Sequence, residues 1–369
     1  MRVIRVAVAV VLLAAGLAAY AMKQARTPVS FSPVGAYQVG RTTDLWVDRS
    51  RTDQLAPLGG TPRLLSVFTW YPAATGGGVE SRYAPEGWEG LHRYGLGATF
   101  LDKIRTGTWD EVAFAAGSFP VVVLLPDRGA AAPQYTALAS RIAAQGYLVV
   151  GVTPTYSAGL TVLDGKTVRA SAAGRDPKRY QQLLAILAAD ARFAASRAVT
   201  QYGRHADPAK VVYAGHGLGG AAAAEACRAD PRCAGSAALG ATADPIPGRK
   251  ADLILTPKAG RKADPTQGPQ ADTADGPRAD LTMGPAGPPL SGPHAFSVDG
   301  ADELTFTDQA LYRLAPPLRW ALPLGRIDGR RALEISSAYL TAYLASVTRG
   351  AAWNPPVCPE VRPAAMLGR

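Results

Sequence analysis

The residues best placed for chemistry lie in one stretch, Tyr213-Ala214-Gly215-His216-Gly217-Leu218-Gly219-Gly220. Val211 to Tyr213 reads as the end of a buried strand, and Ala221 to Cys227 as the Ala-rich helix that follows. A small-x-nucleophile-x-small pattern between strand and helix is the geometry of a nucleophile elbow. Small residues at the flanks let helix and strand approach, while the middle side chain is held strained and exposed. Here the middle position is Gly217, which has no side-chain atom with which to attack. A frame for nucleophilic catalysis is present without its reactive atom.

Other reactive groups are sparse. His92, His205, His216 and His294 are dispersed, and no His-x3-His or Cys-x2-Cys unit occurs, so no metal and no cofactor are expected. Of three cysteines, Cys227 and Cys233 bracket a helix end and a Pro-containing turn; they form a candidate disulfide, with tolerated free thiols as the alternative. Cys358 is left over.

The elements that must position the elbow follow from patterning. The 369 residues are 47% apolar, enough for one large α/β domain. The formal charge of +10 comes mostly from scattered Arg, with no basic block or interleaved aromatics, which excludes a nucleic-acid site. Arg2 and Arg5 precede an apolar run from Val6 to Met22, followed by Lys23 and Arg26. Residues 1–26 are therefore a signal peptide, with Ala19-Tyr20-Ala21 as a cleavage site, or an uncleaved membrane anchor, and the folded part is exported in either case.

Residues 27–62 read as a linker and irregular arm, and 73–118 as a surface excursion around the strand Arg63 to Tyr71. Phe119 to Leu125 and Tyr147 to Val152 are continuous apolar strands, joined by a helix over Tyr135 to Gln145 that stops at Gly146. Such a βαβ unit implies a parallel sheet with a right-handed crossover. Asp176-Pro177 caps a long helix to about Ala198, with an apolar stripe containing Leu183, Leu187 and Phe193. Further strands fall at 235–239, 252–256 and 295–298, and an amphipathic helix at 330–347. Residues 257–293 are rich in Pro, Gly and Ala-Asp pairs, with Gly-Arg-Lys-Ala-Asp at 248 and again at 260, and read as a disordered insertion. The domain is thus expected over 63–353, followed by a surface tail at 354–369.

The wording of several stretches carries a resemblance: Tyr135-Thr136-Ala137-Leu138-Ala139, Gly146 to Val150, Asp190-Ala191-Arg192-Phe193, the elbow, and Phe306-Thr307-Asp308. Together they resemble the bacterial platelet-activating-factor acetylhydrolase-like branch of the α/β-hydrolase superfamily, from about Val34 onward apart from the 257–293 insertion. The resemblance implies an α/β-hydrolase fold, a mostly parallel sheet with helices on both faces. It also implies an esterase or lipase using a Ser-His-Asp triad in the chain order Ser, Asp, His.

Carried over by position, the serine falls on Gly217, the acid on Gly240 and the histidine on Glu303. All three triad positions are vestigial, and no residue is assigned a catalytic role. The family's Pro-Gly-x-Gly oxyanion loop is Pro126-Asp127-Arg128-Gly129 here, and its Asp-His-Pro is Thr153-Pro154-Thr155. The implied oxyanion donors are the backbone N–H groups of Arg128 and Leu218. Among substitutes, His216 reads as structural under the turn, His294 as packed or exposed, and Ser236 as part of a strand. Asp244 could replace the acid but would have no histidine to orient.

The expected protein is an exported pseudoenzyme of the esterase-like type, with a ligand- or envelope-binding role. Its partners would be a small acyl or lipid-like ligand, and the membrane if the first segment is uncleaved. An active ester hydrolase with displaced residues and a membrane-tethered structural or partner protein are the alternatives.

Overall fold

The computed structural model describes residues 2–91, 95–240, 252–258, 282–283 and 294–364. His92, Asp244 and most of 257–293 lie outside the described residues. Helix α1, Arg2–Arg26, precedes strands β1 Val29–Ser30, β2 Gln38–Thr52, β3 Pro62–Ala73, β4 Val79–Arg82 and β5 Ile104–Asp110. The central unit is β6 Phe119–Leu125, α2 Thr136–Ala144 and β7 Leu148–Pro154. A hairpin of β8 Thr161–Leu163 and β9 Lys166–Val168, then α3 Ala172–Arg175, leads into α4 Tyr180–Tyr202. Next come β10 Ala206–His216, α5 Leu218–Ala229, β11 Cys233–Leu239 and β12 Asp252–Lys258. After these lie β13 Thr282–Met283, β14 His294–Asp299, α6 Pro316–Ala321, α7 Gly329–Arg349, β15 Pro356–Val357 and β16 Val361–Pro363.

The main sheet has the order β1-β5-β2-β3-β7-β6-β10-β11-β12-β14-β16, with β4 paired to β5. From β7 to β14 every neighbouring pair is parallel. β2, β3 and β7 pair antiparallel, and β16 returns antiparallel on β14. Continuous apolar runs at β6 and β7 bury both faces because helices cover both. On one side α2 and α7 pack Ile142, Ile335 and Leu340 against Val122 and Val149; on the other α4 and α5 pack Leu187, Ala191 and Ala222 against Val121 and Val123. From β6 the chain moves to β7 on one side and then to β10 on the other. The carboxyl ends of β6 and β10 therefore flank a topological switch point, the usual crevice of an open parallel sheet.

Local signals set the helix ends. Asp176 accepts a hydrogen bond from the Lys178 N–H at 2.9 Å, and Pro177 opens the 3-10 turn that runs into α4. Asp328 accepts from the Arg331 N–H at 3.0 Å to start α7, which stops at Gly350 in the left-handed region, φ 66°.

Four expectations need correction. Residues 27–62 are not an irregular linker: they contain the 15-residue β2, paired along β3. Its polar composition hid it, because its charged side chains are satisfied by partners distant in sequence. Arg41 is buried against Asp110, with Nε–Oδ1 at 3.2 Å and Nη2–Oδ2 at 3.1 Å. Residues 73–118 likewise contain β4 and β5, which extend the sheet edge. In the tail, β16 joins the main sheet, β15 pairs with β13, and Cys358 is buried. Pro257 and Lys258, placed in the insertion, finish β12.

Asp190, part of one resemblance stretch, is the centre of a buried ion network. Arg63 is bidentate on it, Nη2–Oδ2 at 2.6 Å and Nε–Oδ1 at 3.1 Å, while Arg63 Nη1 reaches Asp53 at 2.8 Å and the Thr155 carbonyl at 2.9 Å. These bonds tie β3 to α4 and to the loop after β7. Removing Asp190 takes the bidentate partner from the buried Arg63, leaving it Asp53 alone, and also breaks the Arg51–Asp190 pair at 2.9 Å. Asp190→Ala is therefore expected to lose roughly 3–5 kcal/mol in denaturant unfolding. Arg362→Ala, which breaks the exposed Arg362–Asp299 pair, is expected to lose about 0–1 kcal/mol in the same measurement.

Candidate functional site

The crevice between the ends of β6 and β10 is built by the turn after each strand. After β10, Gly217 takes φ 52° and ψ −120°, and α5 begins at Leu218. That conformation disfavours a side chain and is the strained corner an elbow requires. The Gly217 N–H donates to the Leu239 carbonyl at 2.9 Å, and its own carbonyl accepts from the Gly220 N–H at 3.0 Å. The flanking glycines are fixed by packing. A Cβ on Gly215 would lie 2.3 Å from the Gly219 backbone, and one on Gly219 would lie 2.4 Å from the Pro126 carbonyl oxygen.

After β6, the loop brings Asp127 over this corner. Asp127 Oδ1 accepts a hydrogen bond from the Leu218 backbone N–H at 2.8 Å. A Cβ on Gly217 would sit 2.1 Å from that same Oδ1. Asp127 thus occupies both the room for a residue-217 side chain and one of the two donors carried over as the oxyanion hole. The other donor residue, Arg128, is exposed at the rim. An anion at the first turn of a helix is stabilised by the unpaired N–H groups and the dipole there.

His216 lies beneath. Its ring is fully buried, and Nδ1 is 2.9 Å from the Tyr135 hydroxyl, which also accepts from the Asp127 N–H at 3.1 Å. The tyrosine hydroxyl thus bridges Asp127 and the imidazole, and the other ring nitrogen, Nε2, is buried toward the Glu303 backbone. Burial lowers the imidazole pKa from its ordinary 6.5, opposed in part by the charge of Asp127. A Cβ on Gly240 (φ 66°) would meet His216 Nε2 at 2.4 Å. The imidazole fills the space into which an acid at position 240 would project.

Glu303 is exposed at the first position of a 3-10 turn, Glu303–Phe306, capped by Asp302 through its Oδ1 and the Glu303 N–H at 2.8 Å. Partial burial and the charges of Asp127 and Asp302 raise the Glu303 pKa, with Arg128 opposing. The three carboxylates share one mouth, and Coulomb repulsion there disfavours an incoming anion or a developing oxyanion.

The structure brings together Gly217, Leu218, His216, Gly240 and Glu303 at this crevice. It adds Asp127 and Tyr135, which the sequence reading did not place in a working role. The available signal was an acidic residue in the Pro126–Gly129 loop beside an elbow lacking its side chain. Away from the crevice, His205 stacks on Phe114 at 4.7 Å and His294 lies against Trp353 at 5.9 Å. Cys227 and Cys233 are bonded, closing the end of α5 onto β11, as suits an oxidising compartment.

No protein-family model and no curated protein matches the chain. Solved structures do match. A ferulic acid esterase from Streptomyces cinnamoneus superposes with a TM-score of 0.68 at 24% identity, covering 93% of this chain and 96% of that one. A dienelactone hydrolase-like promiscuous phosphotriesterase from metagenomic libraries matches at a TM-score of 0.35 and 14% identity, covering 59% and 69%. The first likeness, with the parallel sheet and the strand–turn–helix at Gly217, shows the fold: this chain has an α/β-hydrolase fold.

Proposed function

We propose that the chain is an exported or membrane-anchored, catalytically silent relative of acetylhydrolase-like esterases, whose carboxylate Asp127 holds the place of the reacting oxyanion. One observation carries this reading: the 2.8 Å bond from the Leu218 N–H to Asp127 Oδ1, directly over a Gly217 that has no nucleophile. Acyl transfer needs an attacking atom, a base within reach of it and free donors for the oxyanion. Here the first is missing and the base position holds a carboxylate. The Leu218 donor is already engaged. The same filling weighs against an acyl or lipid-like ligand in the crevice and favours a tethered structural or partner role.

The reading predicts no turnover of short acyl esters and no labelling by a fluorophosphonate probe. Stoichiometric labelling of any serine would sink it and favour an ester hydrolase with displaced residues. Restoring the triad alone is expected to fail. In Gly217→Ser the new Cβ collides with Asp127 and takes a positive φ, lowering stability by roughly 1–3 kcal/mol. Adding Asp127→Gly is expected to return part of that loss in thermal unfolding. Any regained esterase activity should require Asp127→Gly together with Gly217→Ser, Gly240→Asp and Glu303→His.

A buried His216 that never meets substrate should report only on stability. Its folded pKa is below 6.5, so between the lowered value and 6.5 the unfolded chain binds a proton that the folded chain does not. Its contribution is complete above pH 6.5 and lost as pH falls through that window. Compared with the wild type, His216→Gln should show a flatter decline of melting temperature below pH 6.5. An unchanged decline would show that His216 takes up its proton over the same pH range in the folded and unfolded chain.

A further inference from the structure

Helix α1 is not joined to the domain by a flexible tether. The segment Ile4–Arg26 is long and apolar enough to cross a bilayer, and its large apolar side chains from Ile4 to Tyr20 are exposed. Its last turn, however, is part of the fold. Ala25 is 0% exposed, and its carbonyl accepts from the Phe100 N–H at 2.8 Å. Val29 and Phe31, just beyond, are buried with Tyr83, Ile104 and Tyr312. A bilayer crossed by α1 would therefore lie directly against the surface around Ala25.

The same strip of backbone that receives α1 also carries α6. The Thr99 N–H donates to the Arg313 carbonyl at 3.0 Å, and the Ala315 N–H to the Gly97 carbonyl at 2.7 Å. Leu318 lies over Gly97, at 3.2 Å from where a Cβ would stand. On this turn Trp320 is 71% exposed, although an indole of that size is ordinarily covered. The strip is rimmed by Lys23, Arg26 and Arg313, all exposed, and by half-buried Arg319; nearby Asp102 is already paired with Lys103 at 2.7 Å. An exposed indole next to Arg319, on a strip that also carries Arg313, Arg26 and Lys23 beside an apolar helix end, has the composition of a headgroup-level contact.

We infer that the α6 turn is a membrane-surface contact, with Trp320 in the headgroup layer of the bilayer crossed by α1 and the flanking Arg and Lys facing anionic lipid. The inference rests on α1 being an anchor. The full-length chain is reconstituted in vesicles of phosphatidylglycerol and phosphatidylcholine with brominated acyl chains, and tryptophan quenching is compared with that of Trp320→Phe. Because Trp46, Trp70 and Trp88 are buried and Trp109 and Trp353 half-buried, most of the quenching should disappear in the variant. Quenching of the wild type should also weaken in vesicles of phosphatidylcholine alone. Equal quenching of wild type and variant overturns the inference, and equal quenching in both lipids overturns the role of the cations. The intact mass of the membrane-extracted chain tests the anchor separately. A chain cut after Ala21 sinks the anchor reading, whereas an intact chain with unquenched Trp320 sinks this inference alone.

Discussion

The hydrogen bond between the Leu218 N–H and Asp127 joins the turn after β6 to the head of α5 across 91 residues of sequence. A hydrogen bond to a charged acceptor contributes about 1.5–3 kcal/mol, more than a neutral one, and the helix dipole adds to it. The field that a catalytic elbow directs at a transient oxyanion here acts permanently on a carboxylate of the chain. That arrangement requires Gly217, since a Cβ there would collide with Asp127. The carboxylate at 127 and the glycine at 217 are thus sterically coupled. His216 and Gly240 are coupled in the same way, through the imidazole that fills the space above Gly240.

Much of the surrounding sequence pattern is required by packing alone. Gly215 and Gly219 are needed wherever a helix turns this closely off a strand, because their hydrogens face backbone at less than van der Waals distance from a methyl group. Asp190 is held by the buried Arg63, which it pairs bidentately while Asp53 takes the third guanidinium contact. Asp308 accepts from the Thr136 and Ala137 N–H groups at 2.8 and 3.0 Å and so caps α2; burial lifts its pKa to about 7. Each of these residues would be held in place by folding alone.

How much of this was legible in the sequence depended on whether a residue's partner was local. β6, α2 and β7 were readable because an apolar run, helical spacing and the C′ glycine Gly146 are local signals. α4 and α7 were readable from their apolar stripes, α4 also from its Asp-Pro start. β2 was not, because Arg41 and Arg51 look like linker residues until Asp110 and Asp190 are placed beside them. At the crevice the three vestigial positions could be located, but not what fills them. Asp127 reaches Leu218, and His216 reaches Tyr135 81 residues away, only once the sheet brings the ends of β6 and β10 together. Sequence shows which side chains have gone from such a site; only the fold shows what has moved into their room.

The vestigial histidine loop also bears on the N-terminal helix. From Glu303 the chain runs through Asp308 to Tyr312, whose hydroxyl bonds that of Tyr83 at 2.8 Å. Tyr83 and Tyr312 form the apolar seat for Val29 and Phe31, immediately after α1. The segment that would present a catalytic imidazole therefore fastens α2 at one end and supports the entry of α1 at the other. A substitution at Glu303 changes only an exposed side chain, whereas one at Asp308 or Tyr312 disturbs the seat itself. The asymmetry places Asp308 under packing constraints that Glu303, five positions earlier and exposed, does not share. On this physical account the crevice can lose its function while its walls stay constrained, because those walls also hold the helix by which the domain would meet a bilayer.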